Sequence, residues 1–150
     1  MEERTLTLGS LFSGAGTFEV GAMLSGIKPI FNAEVEPFPI RVTEKRLPDV
    51  KHYGDVNKLS GADLPPVDII TFGFPCTDIS VAGKQEGLHA ARSGLFFQAI
   101  RIIKEMREAT NGQYPRYLVA ENVKGLFSVS KGEGMREVLE EFCHIKDETI

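Results

Sequence analysis

The sequence predicts an α/β fold with a doubly wound, mostly parallel sheet. Short apolar runs alternate along the chain with segments of helical periodicity, which is the pattern of a parallel sheet covered by helices. At 150 residues and 42% hydrophobic composition, the chain can bury one core and is too short for two ordinary domains. We therefore expect residues 1–150 to form a single domain.

Five strands and four helices are expected from periodicity and from the positions of glycine and proline. The strands, of which the fifth is expected to be buried, are placed at residues 6–12, 29–33, 52–53, 67–72 and 117–120. Gly26 is placed as the C-terminal cap of the first helix and Pro48 ends the second; the helices cover residues 17–25, 37–47, 95–109 and 134–142. These connections favour the strand order 3-2-1-4-5, with a topological switch between strands one and four.

Composition argues against several classes of protein. No apolar run reaches the roughly 20 residues of a membrane helix, and the N-terminus lacks the basic and apolar profile of a secretory signal. We expect a cytoplasmic protein, associated with the nucleoid if it is bacterial. Cys76 and Cys143 are too far apart for a zinc motif, and the three histidines form no ligand pattern, so no metal is expected.

The formal net charge of -4 argues against a protein whose whole surface binds nucleic acid. The charge is unevenly distributed, because residues 81–107 contain five basic and two acidic side chains. This middle segment is the favoured face if nucleic acid approaches, and an ordinary solvated helix is the alternative.

A glycine-rich turn is expected where strand one leads into the first helix. Phe12, Gly14 and Gly16 lie in the run FSGAG, where glycines let the backbone approach a ligand whose charge faces the helix N-terminus. The dinucleotide fingerprint GxGxxG is absent, which lowers the expectation of NAD. Glu34 ends strand two and Asp55 ends strand three, so they are placed to bind the ribose hydroxyls and the adenine amino group of an adenosine. Taken singly, each acid would be interpreted as a solvated loop carboxylate.

A thiol and a further carboxylate are expected to converge on the same edge of the sheet. Cys76 follows strand four in the run GFPC, and Glu121 ends strand five, which neighbours strand four in the expected order. A lone cysteine is usually a small buried hydrophobe, and a lone glutamate at this point can simply cap the next helix. The polar stretch of residues 73–94 is longer than a routine connection and is typical of a loop that works or moves.

Together these runs resemble the DNA cytosine-5 methyltransferase family. The resemblance extends over nearly all of residues 7–127 and rests on FSGAG, the acid at Glu34, GDV at 54–56, GFPCTDIS, GLFF and ENV, in the family's order and spacing. Two positions depart from the family's usual pattern. Ser10 stands where an aspartate is usual before Leu-Phe, and Thr17 stands where a further glycine is usual.

The resemblance implies a Rossmann-like methyltransferase domain that binds S-adenosylmethionine and methylates carbon 5 of a cytosine flipped out of double-stranded DNA. Cys76 would add to carbon 6 of the base, and Glu121 would act at ring N3. The cofactor site would comprise Phe12, Gly14, Gly16, Glu34, Val35, Asp55, Val56, Pro75 and Leu95. Contacts with the base or the DNA would come from Ser80, Lys84, Arg92 and Asn122.

Motifs that this family carries after Glu-Asn-Val, including its Gln-x-Arg-x-Arg motif and target-recognition domain, do not occur before Ile150. We therefore expect the N-terminal part of an enzyme, with a sheet that is incomplete at the strand-five edge. A second polypeptide that carries those motifs would complete it. Two alternatives stay open: a non-catalytic S-adenosylmethionine-binding module or split-enzyme subunit, and a transfer-RNA cytosine-5 methyltransferase.

Overall fold

The computed structural model describes residues 4–74, 94–122 and 133–146. Within these ranges, parallel strands form one five-stranded sheet in the order β3-β2-β1-β4-β5, which confirms the expected order. The strands are β1 (Thr7–Leu11), β2 (Lys28–Ala33), β3 (Lys51–His52), β4 (Ile69–Gly73) and β5 (Tyr117–Glu121). The helices are α1 (Thr17–Leu24), α2 (Pro37–Arg46), α3 (Leu95–Ala109) and α4 (Glu133–Lys146), and a 3-10 helix spans Val56–Lys58.

Glycine and proline set the helix ends as the sequence indicates. Gly26 adopts a φ of 72° just after α1, and its amide donates to the carbonyl oxygen of Met23. Pro37 is the first residue of α2, where its missing amide hydrogen costs no helical hydrogen bond. α3 covers the expected residues 95–109. None of the described helices is both long enough and apolar enough to span a lipid bilayer.

The two faces of the sheet bury different side chains. Against α3 lies a large cluster in which the rings of Phe72 and Phe74 pack on Phe96, with centroid separations of 6.5 and 5.0 Å. On the opposite face, α1 covers a smaller cluster that includes Leu8 and Ile69. Phenylalanine rings and aliphatic side chains together form the hydrophobic core on the α3 face.

Two glycines allow closer packing than any side chain would permit. A Cβ on Gly9 would lie 2.2 Å from Cζ of Phe31, so this ring can lie across β1 only because position 9 has no side chain. A Cβ on Gly61 would lie 1.9 Å from the carbonyl oxygen of Ile102 in α3. The segment that follows the 3-10 helix therefore packs directly on the backbone of α3.

The expectation that the fifth strand is buried is wrong. Tyr117 and Val119 are 52% and 47% exposed, whereas Ile69 and Thr71, their partners in β4, are buried. β5 lies at one edge of the described sheet, and no described helix covers the face that Tyr117 and Val119 share. Apolar residues indicate that a strand can be buried. Burial also requires that another element of the fold cover the strand, and the strand's own sequence does not show this.

Asp68 joins the amino-terminal ends of three strands. Its buried carboxylate accepts hydrogen bonds from the amide and the hydroxyl of Thr7, each at 3.0 Å, and from Arg4 Nη2 at 2.9 Å. Its carbonyl oxygen accepts from the amides of Arg116 and Tyr117 at 2.8 and 3.0 Å. Burial by itself would raise the pKa of Asp68, but the hydrogen bonds from Thr7 and the two nearby guanidinium charges lower it below its usual value.

Asp68→Asn is expected to lower the free energy of unfolding at neutral pH by about 1–3 kcal/mol, because buried donors lose a charged acceptor. The pKa is depressed in the folded protein, so the stabilisation by Asp68 is present above the ordinary value of 3.8 and is lost as the pH falls through the folded-state value. Urea unfolding measured from neutral to acid pH should show that the wild type's higher free energy of unfolding, relative to the variant, decreases as the pH falls. Asp63→Asn, a change of an exposed acid, is the control. A difference in the free energy of unfolding that is as large in acid as at neutral pH would contradict the stabilising role of the Asp68 carboxylate.

Candidate functional site

The carboxyl edge of the sheet borders a cavity of about 360 Å³. This volume lies within the range of pockets that bind small molecules and cofactors, roughly 300–1,000 Å³. The cavity is lined by Phe12, Ala33, Glu34, Val35, Gly54, Asp55, Val56, Asn57 and Leu95. A second cavity of about 350 Å³ lies at the opposite end of β2 and contains none of the predicted site residues.

The turn after β1 has a backbone conformation that few residue types adopt readily. Phe12, Gly14 and Gly16 have φ angles of 57°, 55° and 90°, in the left-handed region. A Cβ on Gly16 would lie 2.9 Å from Leu47 and 3.2 Å from Thr43, so space as well as φ requires glycine there. Phe12 is a bulky residue in this region, and backbone strain of this kind is characteristic of binding sites. Phe12 lines the cavity.

Glu34, the first residue after β2, holds the turn through its carboxylate. Oε2 accepts a hydrogen bond from the amide of Gly14 at 2.8 Å. Oε1 accepts from the amides of Val35 and Glu36 at 2.7 and 2.9 Å. A carboxylate has about four acceptor positions. Oε2 therefore keeps one acceptor position for a ligand donor such as a ribose hydroxyl. The hydrogen bonds at the other positions hold the turn and the start of α2.

Asp55 forms the N-terminal cap of the 3-10 helix. Its Oδ1 accepts from both the main-chain and the side-chain amide of Asn57, each at 2.9 Å. These two hydrogen bonds, with the charge of Lys58, lower the pKa of Asp55, so the carboxyl is ionised at neutral pH. Oδ2 accepts no hydrogen bond from any part of the chain that the structure describes. This oxygen can accept from a ligand amino group.

A buried carboxyl lies beneath the turn. Glu19 in the first turn of α1 and Ser10 in β1 are both 0% exposed, and Ser10 Oγ donates to Glu19 Oε1 at 2.6 Å. Glu19 Oε2 has no hydrogen-bond partner among the described residues, and a Cβ on Gly16 would lie 3.8 Å from it. A larger acidic side chain at position 10 would therefore meet this carboxyl. Ser10, which departs from the usual family pattern, is thus hydrogen-bonded to Glu19, and nothing in a single sequence pairs the two.

The second part of the site lies at the ends of β4 and β5. Gly73 and Glu121 are partners across these strands, and a Cβ on Gly73 would lie 2.9 Å from Glu121 Oε2. The glycine therefore leaves the space in which this exposed carboxylate lies. Asn122 Nδ2 donates to the carbonyl oxygen of Phe74 at 3.1 Å. That hydrogen bond fixes the end of β5 to the backbone that leaves β4.

Most of the predicted cofactor residues come together in the structure. The cavity lining includes Phe12, Glu34, Val35, Asp55, Val56 and Leu95. Gly14 and Gly16 form the turn beside it. Outside the described residues lie the predicted Pro75, Cys76, Ser80, Lys84 and Arg92. Sequence reasoning missed the lining residues Ala33, Gly54 and Asn57. Of these, Asn57 had a signal, because an acid followed two residues later by an amide donor has the spacing of an Asx turn.

The basic side chains of α3 are engaged within the fold. Arg101 donates to two carbonyl oxygens beside the 3-10 helix. Lys104 pairs with Glu141 of α4 at 3.3 Å. Arg107 donates to the carbonyl oxygen of Pro115 at 2.9 Å. For this helix, the contacts favour an ordinary structural face over a surface reserved for nucleic acid.

Comparison with known proteins identifies a family and individual relatives. The sequence profile of the family described as C-5 cytosine-specific DNA methylase matches residues 6–146. Type II methyltransferase M2.BsuMI of Bacillus subtilis (strain 168) is 36% identical over 126 residues, and type II methyltransferase M1.ScrFI of Lactococcus lactis subsp. cremoris is 36% identical over 130 residues. The alignments cover 84% and 86% of this chain but 31% of each relative, so the chain spans about a third of their length.

A solved structure supports the same fold. It is described as a DNA modification methyltransferase encoded within an E. coli prophage, and it superposes with a TM-score of 0.69 at 22% sequence identity. The superposition covers 93% of this chain and 38% of that one. The shared fold therefore includes nearly the whole of the present chain.

Glu34→Ala is expected to weaken binding of the predicted cofactor, S-adenosylmethionine, by about 1–3 kcal/mol, because the Gly14 amide and a ribose hydroxyl both lose an acceptor. Glu36→Ala is the matched control, since it removes the same charge two residues later and the Glu36 side chain makes no capping hydrogen bond with α2. Calorimetric titration measures both affinities. Equal affinities of the wild type and Glu34→Ala would refute the assignment of Glu34 to the cofactor site.

Proposed function

This chain belongs to the C-5 cytosine-specific DNA methylase family, and on that basis we propose that it forms the cofactor-binding and catalytic part of a DNA cytosine-5 methyltransferase. The observation that carries the proposal is the cavity bordered by Glu34 and Asp55 in a domain that matches the family over residues 6–146. We propose residues 1–150 as one such domain. Its methyl donor is S-adenosylmethionine and its acceptor is cytosine in double-stranded DNA.

The residues around the cavity fit S-adenosylmethionine. Glu34 Oε2 has an acceptor position for a ribose hydroxyl, and Asp55 Oδ2 has the chemistry to accept from the adenine amino group. The side chains of Phe12, Val56 and Leu95 supply apolar surface for a flat base. Backbone amides at the start of α1 favour the carboxylate of the methionine part. When bound, S-adenosylmethionine supplies an electrophilic methyl group.

Cys76 is proposed as the nucleophile. Carbon 5 of cytosine becomes nucleophilic only after a group adds to carbon 6. The Cys76 thiolate forms a bond to carbon 6, and the ring electrons shift to give an enamine whose carbon 5 would accept the methyl group, with S-adenosylhomocysteine as the leaving group. Loss of the carbon 5 proton to a base then expels the thiolate, which leaves 5-methylcytosine and regenerates Cys76. A free cysteine thiol has a pKa of about 8.5, so the surroundings of Cys76 have to favour the thiolate.

Glu121 is proposed to act at ring N3. Protonation or hydrogen bonding at N3 withdraws electrons from the ring and eases attack on carbon 6. The Glu121 carboxylate lies in the space left by Gly73, on the strand next to the backbone that leads towards position 76. The hydrogen bond from Asn122 to Phe74 keeps these two strand ends together. This arrangement supports a carboxylate and a thiol that act on the same base.

The target cytosine has to leave the DNA helix, because its reacting atoms are stacked inside the duplex. We propose that the segment containing Ser80, Lys84 and Arg92 contacts the flipped base and the adjacent phosphates, with Asn122 on the base side of the site. Flipping costs a few kcal/mol of unstacking, which protein contacts have to offset.

The exposed face of β5 supports a further part of this proposal. Tyr117 and Val119 present apolar surface on a strand with a free edge within the described sheet. Such edges are normally covered or paired. We propose that additional polypeptide, from a second subunit where the enzyme is split, covers β5 and contributes to recognition of the DNA.

Cys76→Ala is expected to abolish methyl transfer by the complete enzyme and to leave affinity for S-adenosylmethionine within a few-fold, because the thiol acts on the base. The measurement is incorporation of labelled methyl groups into cytosine-rich duplex DNA, with transfer RNA as a competing acceptor. Cys143→Ala changes the exposed thiol of α4 and should leave activity nearly unchanged. Turnover by Cys76→Ala would sink the nucleophile assignment, and label that enters only transfer RNA would contradict DNA as the substrate.

Glu121→Gln is expected to lower the methylation rate by about 10²- to 10⁴-fold with little change in cofactor affinity, because a neutral amide cannot supply a proton at N3. Gly73→Ala is the companion variant. It keeps the carboxylate, but its methyl group would lie 2.9 Å from the present position of Glu121 Oε2, so a smaller loss of rate is expected. Single-turnover kinetics measures both effects. An unimpaired rate in Glu121→Gln would count against the role at N3.

A further inference from the structure

Arg101 of α3 binds the backbone at both ends of the 3-10 helix. Its Nη2 donates to the carbonyl oxygen of Val56 at 3.0 Å, and its Nη1 donates to that of Leu59 at 2.9 Å. Within α3, Nε donates to Gln98 Oε1 at 2.9 Å and Nη1 to Glu105 Oε1 at 2.8 Å. The two contacts within α3 thus orient the planar guanidinium, which donates to one carbonyl oxygen at each end of the 3-10 helix.

Glu105 makes a second attachment one turn further along α3. Its Oε2 accepts from the amide of Gly61 at 2.6 Å. Partial burial raises the pKa of Glu105, but the hydrogen bonds from Arg101 and Gly61 lower it overall, so the carboxyl is ionised at neutral pH. The contact between Gly61 and the carbonyl oxygen of Ile102 leaves no room for a side chain. The segment of residues 56–61 is therefore held to α3 at several points.

The contacts between α3 and residues 56–61 connect two walls of the cavity. Asp55 lines the cavity and directly precedes Val56, whose carbonyl oxygen Arg101 binds. Leu95, the first residue of α3, lines the same cavity. Arg101 therefore joins the wall that carries Asp55 to the wall formed by α3, although Arg101 itself is not part of the lining.

We propose that Arg101 is a positioning residue that fixes Asp55 at the adenine end of the cofactor site and thereby sets the selectivity for adenine over other purine bases. The inference rests on the proposed function, which assigns the adenine amino group to Asp55. A hydrogen-bond acceptor discriminates against a base that lacks the matching donor only when the acceptor is held in place. Lysine cannot replace Arg101, because a single ammonium group does not span both carbonyl oxygens.

The test compares two ligands on the same protein, S-adenosylhomocysteine and S-inosylhomocysteine. The second carries a carbonyl oxygen where adenine has its amino group, so the wild type should bind it more weakly beside the Asp55 carboxylate. Arg101→Lys keeps the charge and the partner Glu105, and it should reduce the ratio of the two affinities by about tenfold. Arg101→Met should reduce the ratio at least as far. Calorimetric titration gives each affinity.

Arg107→Lys is the matched control. Arg107 lies in the same helix and also donates to a carbonyl oxygen, that of Pro115, away from the cavity lining. A general loss of stability weakens the binding of both ligands by the same factor, so it leaves the ratio of the two affinities unchanged. A ratio that falls in Arg101→Lys and not in Arg107→Lys supports the proposal.

Three results would overturn the proposal. In the first, Arg101→Lys has the same ratio of affinities as the wild type. In the second, the ratio falls equally in Arg101→Lys and Arg107→Lys. In the third, the wild type binds both ligands with equal affinity. Failure of the wild type to bind either ligand would refute the proposed function itself. The two failures are therefore distinguishable.

Discussion

The pairing of β1 with β2 on one side and β4 on the other is the constraint on which the rest of the structure depends. The chain builds outwards from β1 through β2 to β3, and then returns to the other side of β1 as β4. The strand order therefore reverses between β1 and β4, and the carboxyl ends of two strands at such a switch point characteristically border a crevice. The site follows from this crevice, because its parts lie directly after the strands, at Phe12, Glu34, Phe74 and Asn122.

Buried carboxyls are satisfied differently at the two edges of the sheet. At the amino edge, Asp68 accepts from Thr7 and Arg4 and lies near a second guanidinium. At the carboxyl edge, Glu19 has one donor, Ser10, and its other oxygen is unpartnered in the part of the chain that the structure describes. An unsatisfied buried polar atom costs stability. The Asp68 carboxylate is thus paired on both oxygens, whereas the unpartnered oxygen of Glu19 lies under the turn that follows β1.

The strand order and most element ends could be predicted because they depend on periodicity and on local glycine and proline signals. Burial of the fifth strand was predicted wrongly, because the composition of Tyr117–Glu121 does not show what lies against it. The sequence also placed Glu34 at the site but could not show that Gly14 already uses part of its carboxylate, since that contact depends on the path of a turn twenty residues earlier. Arg101 carried no signal beyond its charge, because its acceptors are main-chain oxygens, which every residue has.

The contacts that shape the site end on main-chain groups. Glu34 binds amides of the turn and of the start of α2, Arg101 binds carbonyl oxygens beside the 3-10 helix, and Asn122 binds one at the end of β4. Main-chain acceptors and donors remain when a side chain changes, so the geometry depends on the path of the backbone more than on the identity of the residues along it. Gly16 and Gly61 are exceptions, because the backbone path at each of them leaves no room for a side chain. Since α3 contributes both Leu95 and Arg101, a shift of this helix would move two walls of the cavity together, and substitutions at these two residues are expected to be coupled rather than additive.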